Sequence, residues 1–196
     1  MAIYGIIVAD NRDDAIARLE LTGLLPAAQY IDSPNHNQRP PGAAIDLLVI
    51  HNISLPPGVF EGDAIIDLFT NRLDPAAHPY FADIAALRVS SHLLIRRDGA
   101  ALQFVRCNER AWHAGVSSWR GREQCNDFSI GIELEGTDEL PYTTAQYARL
   151  IGVAQLLMRA YSIRDVAGHS DIAPERKTDP GPHFDWRLLR AATGLR

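Results

Sequence analysis

Apolar residues fall in short blocks along this chain, and their spacing predicts strands interleaved with helices. Residues 3–9 read as a short strand. Asp13 to Leu25 reads as a helix with Ala15, Ile16, Leu19 and Leu21 as its buried positions. Ile45 to His51 is almost continuously apolar through Leu47, Leu48, Val49 and Ile50, the pattern of a central strand covered on both faces. Asn52 to Gly58 reads as a loop, and Glu61 to Thr70 predicts a helix. Arg88 to Arg96 predicts a strand, Asp98-Gly99 marks a hairpin turn, and Ala101 to Arg106 supplies the returning strand. Ser129 to Leu134 is another apolar strand. From Thr143 to Tyr161 the residues Tyr147, Leu150, Ile151, Ala154, Leu157 and Met158 recur at helical spacing, with Thr143 as N-cap. Val166 to His169 closes the series as a short strand, followed by a last helix over Asp185 to Ala192.

This order predicts an α/β fold: a mixed central β-sheet flanked by helices in a single domain. The hairpin at Asp98-Gly99 keeps the sheet from being purely parallel. The segment from Ser33 to Gly42 opposes regular structure through Pro34, Pro40, Pro41 and Gly42. It divides the chain into an N-terminal arm, residues 1–44, and the main domain, residues 45–196.

Composition narrows the function. The 196 residues are 46% hydrophobic and 22% charged, enough apolar material for a core without disulfide staples. A formal net charge of −5 argues against nucleic acid as a partner, because phosphate attraction needs clustered Lys and Arg. The basic groupings Arg96-Arg97 and Arg120 with Arg122 are too short for such a patch. Cys107 and Cys125 form no C-x-x-C pair, and free buried thiols are the simpler reading. No stretch has the length of a membrane span, and no basic segment precedes the apolar run at the N-terminus. The expected location is therefore the cytoplasm.

The candidate chemistry sits at strand ends. His51 ends one apolar strand and His169 another, and Asp179 follows ten positions later. Two imidazoles and a carboxylate are a recurrent donor set for catalytic zinc, with the fourth position left to water. Glu133, in Gly131-Ile132-Glu133-Leu134, is a carboxylate in an apolar strand, which suits a proton shuttle. Lys177, two residues before Asp179, offers an ammonium to a developing oxyanion. Taken alone, a strand-end histidine is more often a hydrogen-bonded structural residue than a ligand.

Five longer strings change that weighting. VIHNISLPPG (49–58), DPAAHPYF (74–81), RVSSHLLIRRDG (88–99), RAWHAGVSSWRGREQCNDFSIGIELEGTD (110–138) and GHSDIAPERKTDPGPHFDW (168–186) closely resemble segments of the AmpD family. Its members are cytoplasmic 1,6-anhydro-N-acetylmuramyl-L-alanine amidases. The resemblance runs from about Asp46 to Leu189. It implies a sheet with a zinc groove on one side, one Zn2+ per chain held by His51, His169 and Asp179, Glu133 as general base, and Lys177 stabilising the transition state. It also implies that Arg88, Trp112, His113, Ala114 and Gly115 line the groove and meet an anhydro-muropeptide substrate, whose lactyl–L-alanine amide is cut in peptidoglycan recycling. On the residues alone His113 suits groove lining and core support equally. Phage-type amidases of the wider fold usually place a Cys where Asp179 stands here. Gln124 departs from the family, where an Arg is expected, and residues 1 to about 44 match it poorly. Two other functions compete: a non-catalytic muropeptide sensor, which would lack ligands or base, and an exported autolysin, which would need a signal peptide and usually a wall-binding module.

Overall fold

The apolar block beginning at Leu47 forms the middle of a six-stranded mixed sheet. The computed structural model describes residues 12–196. In chain order its elements are α1 (Arg12–Thr22), β1 (Gln29–Tyr30), β2 (His36–Asn37), β3 (Leu47–Ile53), α2 (Ala64–Phe69), α3 (Pro79–Ile84), β4 (Leu93–Ile95), β5 (Ala101–Gln103), β6 (Arg110–Ala111), β7 (Ser118–Trp119), β8 (Arg122–Glu123), β9 (Ser129–Glu135), α4 (Thr144–Ala160), β10 (Asp165–Gly168), α5 (His169–Ile172) and α6 (Trp186–Thr193). A short 3-10 turn, Cys125–Asp127, precedes β9.

The sheet runs β1-β5-β4-β9-β3-β10. Only the β4–β5 hairpin pairs antiparallel within it; β1–β5, β4–β9, β9–β3 and β3–β10 are parallel. Side chains alternate across a strand, so β3 and β9 serve two layers. Leu48, Ile50, Ile130, Ile132 and Leu134 pack with α1, α4 and α6 in the largest core cluster. Leu47 and Val49 face the other way, against Ala114, Phe128 and Ala167. A third cluster joins α2 and α3 to Leu94, Leu102 and Phe104. Helix α4 is set by a capping box, in which Thr143 Oγ1 accepts from Gln146 N and Gln146 Oε1 accepts from Thr143 N. Fully burying Leu150 and Leu157 contributes about 1.5–3 kcal/mol each.

The predicted boundaries shift where local chemistry overrides periodicity. Helix α1 ends at Thr22, because Gly23 adopts a left-handed φ of 69° and its N–H bonds to Leu19 O. Leu21 is 83% exposed, not buried as its spacing predicts, whereas Leu19 is in the core. Strand β3 continues through Asn52 and Ile53, which were expected in a loop. The strand expected over 88–96 shrinks to Leu93–Ile95; before it, Ser90 N donates to Trp112 O, outside the sheet ladder. Helix α3 was not foreseen; His78 caps it by accepting from Tyr80 N, with Pro79 as its first residue. The strand predicted over residues 3–9 lies outside the described residues.

Residues 12–44 lie directly on the rest of the chain. β1 adds to the edge of the main sheet, β2 pairs with β6, and Tyr161 Oη donates to Leu19 O. Arg39 donates to the carbonyls of Asn126, Asp127, Cys107 and Ser129. Cys107 and Cys125 are both free and buried. Among the described residues no helix is long and apolar enough to cross a membrane.

Candidate metal centre

Parallel pairing of β10, β3 and β9 brings their carboxyl ends to one edge, where open α/β sheets place their ligands. His51 lies near the end of β3 on the face away from α4, and His169 is the first residue after β10. Asp179 reaches them from a loop held by Ser170 N donating to Asp179 O at 2.9 Å and by Tyr142 Oη donating to Pro180 O at 2.7 Å.

The three donor atoms form a tight triangle. His51 Nδ1 is 3.0 Å from His169 Nδ1 and 3.1 Å from Asp179 Oδ2, and His169 Nδ1 is 3.2 Å from the same oxygen. Tetrahedral bonds of ~2.0–2.1 Å to a zinc ion would set neighbouring donors about 3.3 Å apart, so this donor set fits such an ion. No other group of three His, Cys, Asp or Glu among the described residues converges in this way. Burial pushes the His51 imidazole down to about 4, against the pull of Asp179. Burial opposes ionisation of Asp179 as well, but the two imidazoles outweigh it and hold the carboxyl well below its usual range.

Glu133 stands across from His51 in the β3–β9 register and is buried. Its Oε2 has no hydrogen-bond partner. Burial raises its pKa well above the ordinary value; the charge of Asp179 raises it further and that of Lys177 opposes both. Glu133, Lys177 and the three donors line one groove of about 590 Å³, and Leu55, Tyr80 and Ile84 are apolar members of the same lining. Glu135 instead accepts from Arg96 and from the Arg97 N–H, which ties the hairpin to the sheet.

The expected groove residues separate into three groups. Trp112 and His113 line the groove, and Trp112 Nε1 donates to Asn37 Oδ1 at 2.8 Å. Ala114 is buried behind the ligands, and Gly115 sits exposed beside Arg176. Arg88 is exposed between Leu87 and Val89, which line the groove, and its guanidinium donates to the Ala86 and Leu87 carbonyls. Gln124 is exposed in a left-handed conformation after β8 and also lies off the groove. Sequence reasoning missed Asn52 and Asp138, which are linked at 2.7 Å at the groove edge. Asn52, next to His51, was the available signal.

Fold and site together define an α/β domain organised around a candidate metal centre of two histidines and one carboxylate. The chain belongs to the N-acetylmuramoyl-L-alanine amidase family, which matches residues 41–182. It is 59% identical over 171 residues to the 1,6-anhydro-N-acetylmuramyl-L-alanine amidase AmpD of Enterobacter cloacae, covering 86% of this chain and 91% of that protein. A crystal structure of a selenomethionine AmpD derivative matches with a TM-score of 0.85 and 59% identity over 87% of this chain and 97% of the other. The amidase AmiD of E. coli, in complex with the substrate anhydro-N-acetylmuramic acid-L-Ala-D-γ-Glu-L-Lys, matches with a TM-score of 0.57 and 33% identity, over 81% of this chain and 61% of that one.

Proposed function

We propose that this chain hydrolyses the amide between the lactyl group of 1,6-anhydro-N-acetylmuramic acid and the L-alanine of the stem peptide, in peptidoglycan recycling in the cytoplasm. The observation that carries the chemistry is the convergence of three donor atoms beside a buried carboxylate with a free oxygen. The identity to relatives named for this activity supports the substrate. Residues 45–196 hold the reacting groups, and residues 12–44 brace them.

His51, His169 and Asp179 are the residues that would hold one zinc ion. Zinc bound there supplies a Lewis acid and lowers the pKa of a water toward neutrality. Glu133 takes the proton from the attacking water through its unpartnered Oε2. Its raised pKa lets it hold that proton and return it to the leaving L-alanine nitrogen. Lys177, on the same groove, faces the oxygen on which negative charge develops. Trp112 offers an aromatic surface at the groove for sugar or peptide.

The test is hydrolysis of anhydro-muramyl tripeptide by the chelator-stripped chain before and after addition of one equivalent of zinc. Release of free sugar and tripeptide only after zinc is the expected result. Zinc-loaded protein that binds the muropeptide without cleaving it would defeat the amidase reading and favour a sensor.

A further inference from the structure

The two ligand imidazoles are held from behind by consecutive residues. His51 Nε2, on the side away from Asp179, is 2.9 Å from His113 Nδ1. His113 Nε2 is 3.2 Å from Ser129 Oγ, and that hydroxyl donates to Cys125 O at 2.5 Å. His169 Nε2 is 3.1 Å from the Ala114 carbonyl oxygen, which also accepts from Arg176 at 2.7 Å.

These contacts fix the direction of every hydrogen bond in both chains. A carbonyl can only accept. Ser129 therefore gives its one hydrogen to Cys125 O and accepts from His113 Nε2–H. A neutral His113 is then bare at Nδ1 and accepts from His51 Nε2–H, which leaves His51 Nδ1 bare. The Ala114 carbonyl takes the His169 Nε2–H and leaves His169 Nδ1 bare in the same way. Both bare nitrogens belong to the triangle with Asp179.

Two further features pin this arrangement. Asn126 Oδ1 accepts from the backbone N–H of His113 at 3.1 Å and of Ala114 at 2.8 Å. Gly131 leaves the space that the His113 ring occupies, since a Cβ there would fall 2.5 Å from its Cγ.

We propose that His113 is a positioning residue for the metal centre and no substrate contact. With the Ala114 carbonyl, it sets the tautomer and tilt of both histidine ligands. Both ring nitrogens of His113 are engaged inside the protein, and the residue is only 9% exposed. The proposal rests on the reading that His51, His169 and Asp179 hold zinc.

The test measures zinc affinity of the full chain by competition with a chromogenic chelator, together with KM for anhydro-muramyl tripeptide. His113→Phe keeps a ring and removes both nitrogens; zinc affinity should fall about 10–100-fold. His113→Gln keeps an acceptor for His51 and a donor for Ser129, and should recover most of that loss. Wild type that binds no zinc would defeat the metal reading itself. Wild type that binds while His113→Phe binds equally well would overturn the positioning role, as would a raised KM at unchanged zinc affinity. Equal losses in Phe and Gln would overturn the hydrogen-bond account. If His113→Phe does not fold, Ser129→Ala carries the test, with a loss of up to about tenfold expected and unchanged affinity overturning the proposal.

Discussion

His51 and Glu133 are register partners on the adjacent parallel strands β3 and β9. Directly paired residues point to the same side of a sheet, so backbone pairing alone sets the candidate ligand beside the candidate base. Glu133→Gln keeps the shape and removes the basic oxygen. The expected outcome is a loss of about 10²–10⁴ in kcat with a full equivalent of zinc retained. The wild-type pH profile should carry a related sign. Burial raises the Glu133 pKa, so kcat/KM should begin to fall, as pH is lowered, at a higher pH than an ordinary carboxylate would give. Loss of zinc together with activity in the glutamine variant would contradict the assignment.

Arg39 tests whether residues 12–44 brace the site. Its guanidinium satisfies four carbonyls on the segments that lead into β6 and β9. Removing a donor strands buried acceptors, at about 1–3 kcal/mol each before relaxation and water entry. Part of this is offset because burial already disfavours the cation, whose pKa is lowered to about 10. Arg39→Met should therefore destabilise the chain by about 2–4 kcal/mol, read from urea denaturation at pH 7. A change within about 0.5 kcal/mol would mean that the segment is an ornament to the domain.

The contrast between β3 and Arg39 shows what the sequence could and could not reveal. β3, β9 and β10 were legible as nearly continuous apolar runs and α4 through its helical spacing, and Thr143 announced its helix through local capping chemistry. His51 and His169 stood out at strand ends, but nothing local said that Asp179 would meet them; the family resemblance supplied that. Helix α3 was missed although His78-Pro79 is a start signal, because six residues are too few to show a period. Arg39, His113 and Asn126 were opaque for a different reason. Their roles depend on contacts between segments remote in sequence, or on a side chain serving its neighbours' backbone, and hydropathy encodes neither.

His92 gives the stability a definite pH dependence. Its Nδ1 accepts from Gly131 N at 3.0 Å, and its Nε2 lies 3.1 Å from both Glu109 O and the Arg39 guanidinium. Protonation would remove the acceptor and set a second cation beside Arg39. Burial first, and Arg39 second, hold its pKa well below the usual 6.5. A group with a depressed folded pKa contributes stability that is present above the unfolded value and is lost as pH falls toward the folded one. As pH falls from 7 to 5 the unfolded chain takes up a proton that folded His92 resists, so stability falls over this window. His51 and His113, also pushed down by burial, add to the same trend in the metal-free chain. His92→Gln can accept from Gly131 and donate to Glu109 without titrating. Urea denaturation of the metal-free protein should show a smaller loss between pH 7 and pH 5 in this variant than in wild type. Equal losses in variant and wild type would show that His92 is protonated in the folded state, or that its cost is borne by neighbours that relax around it.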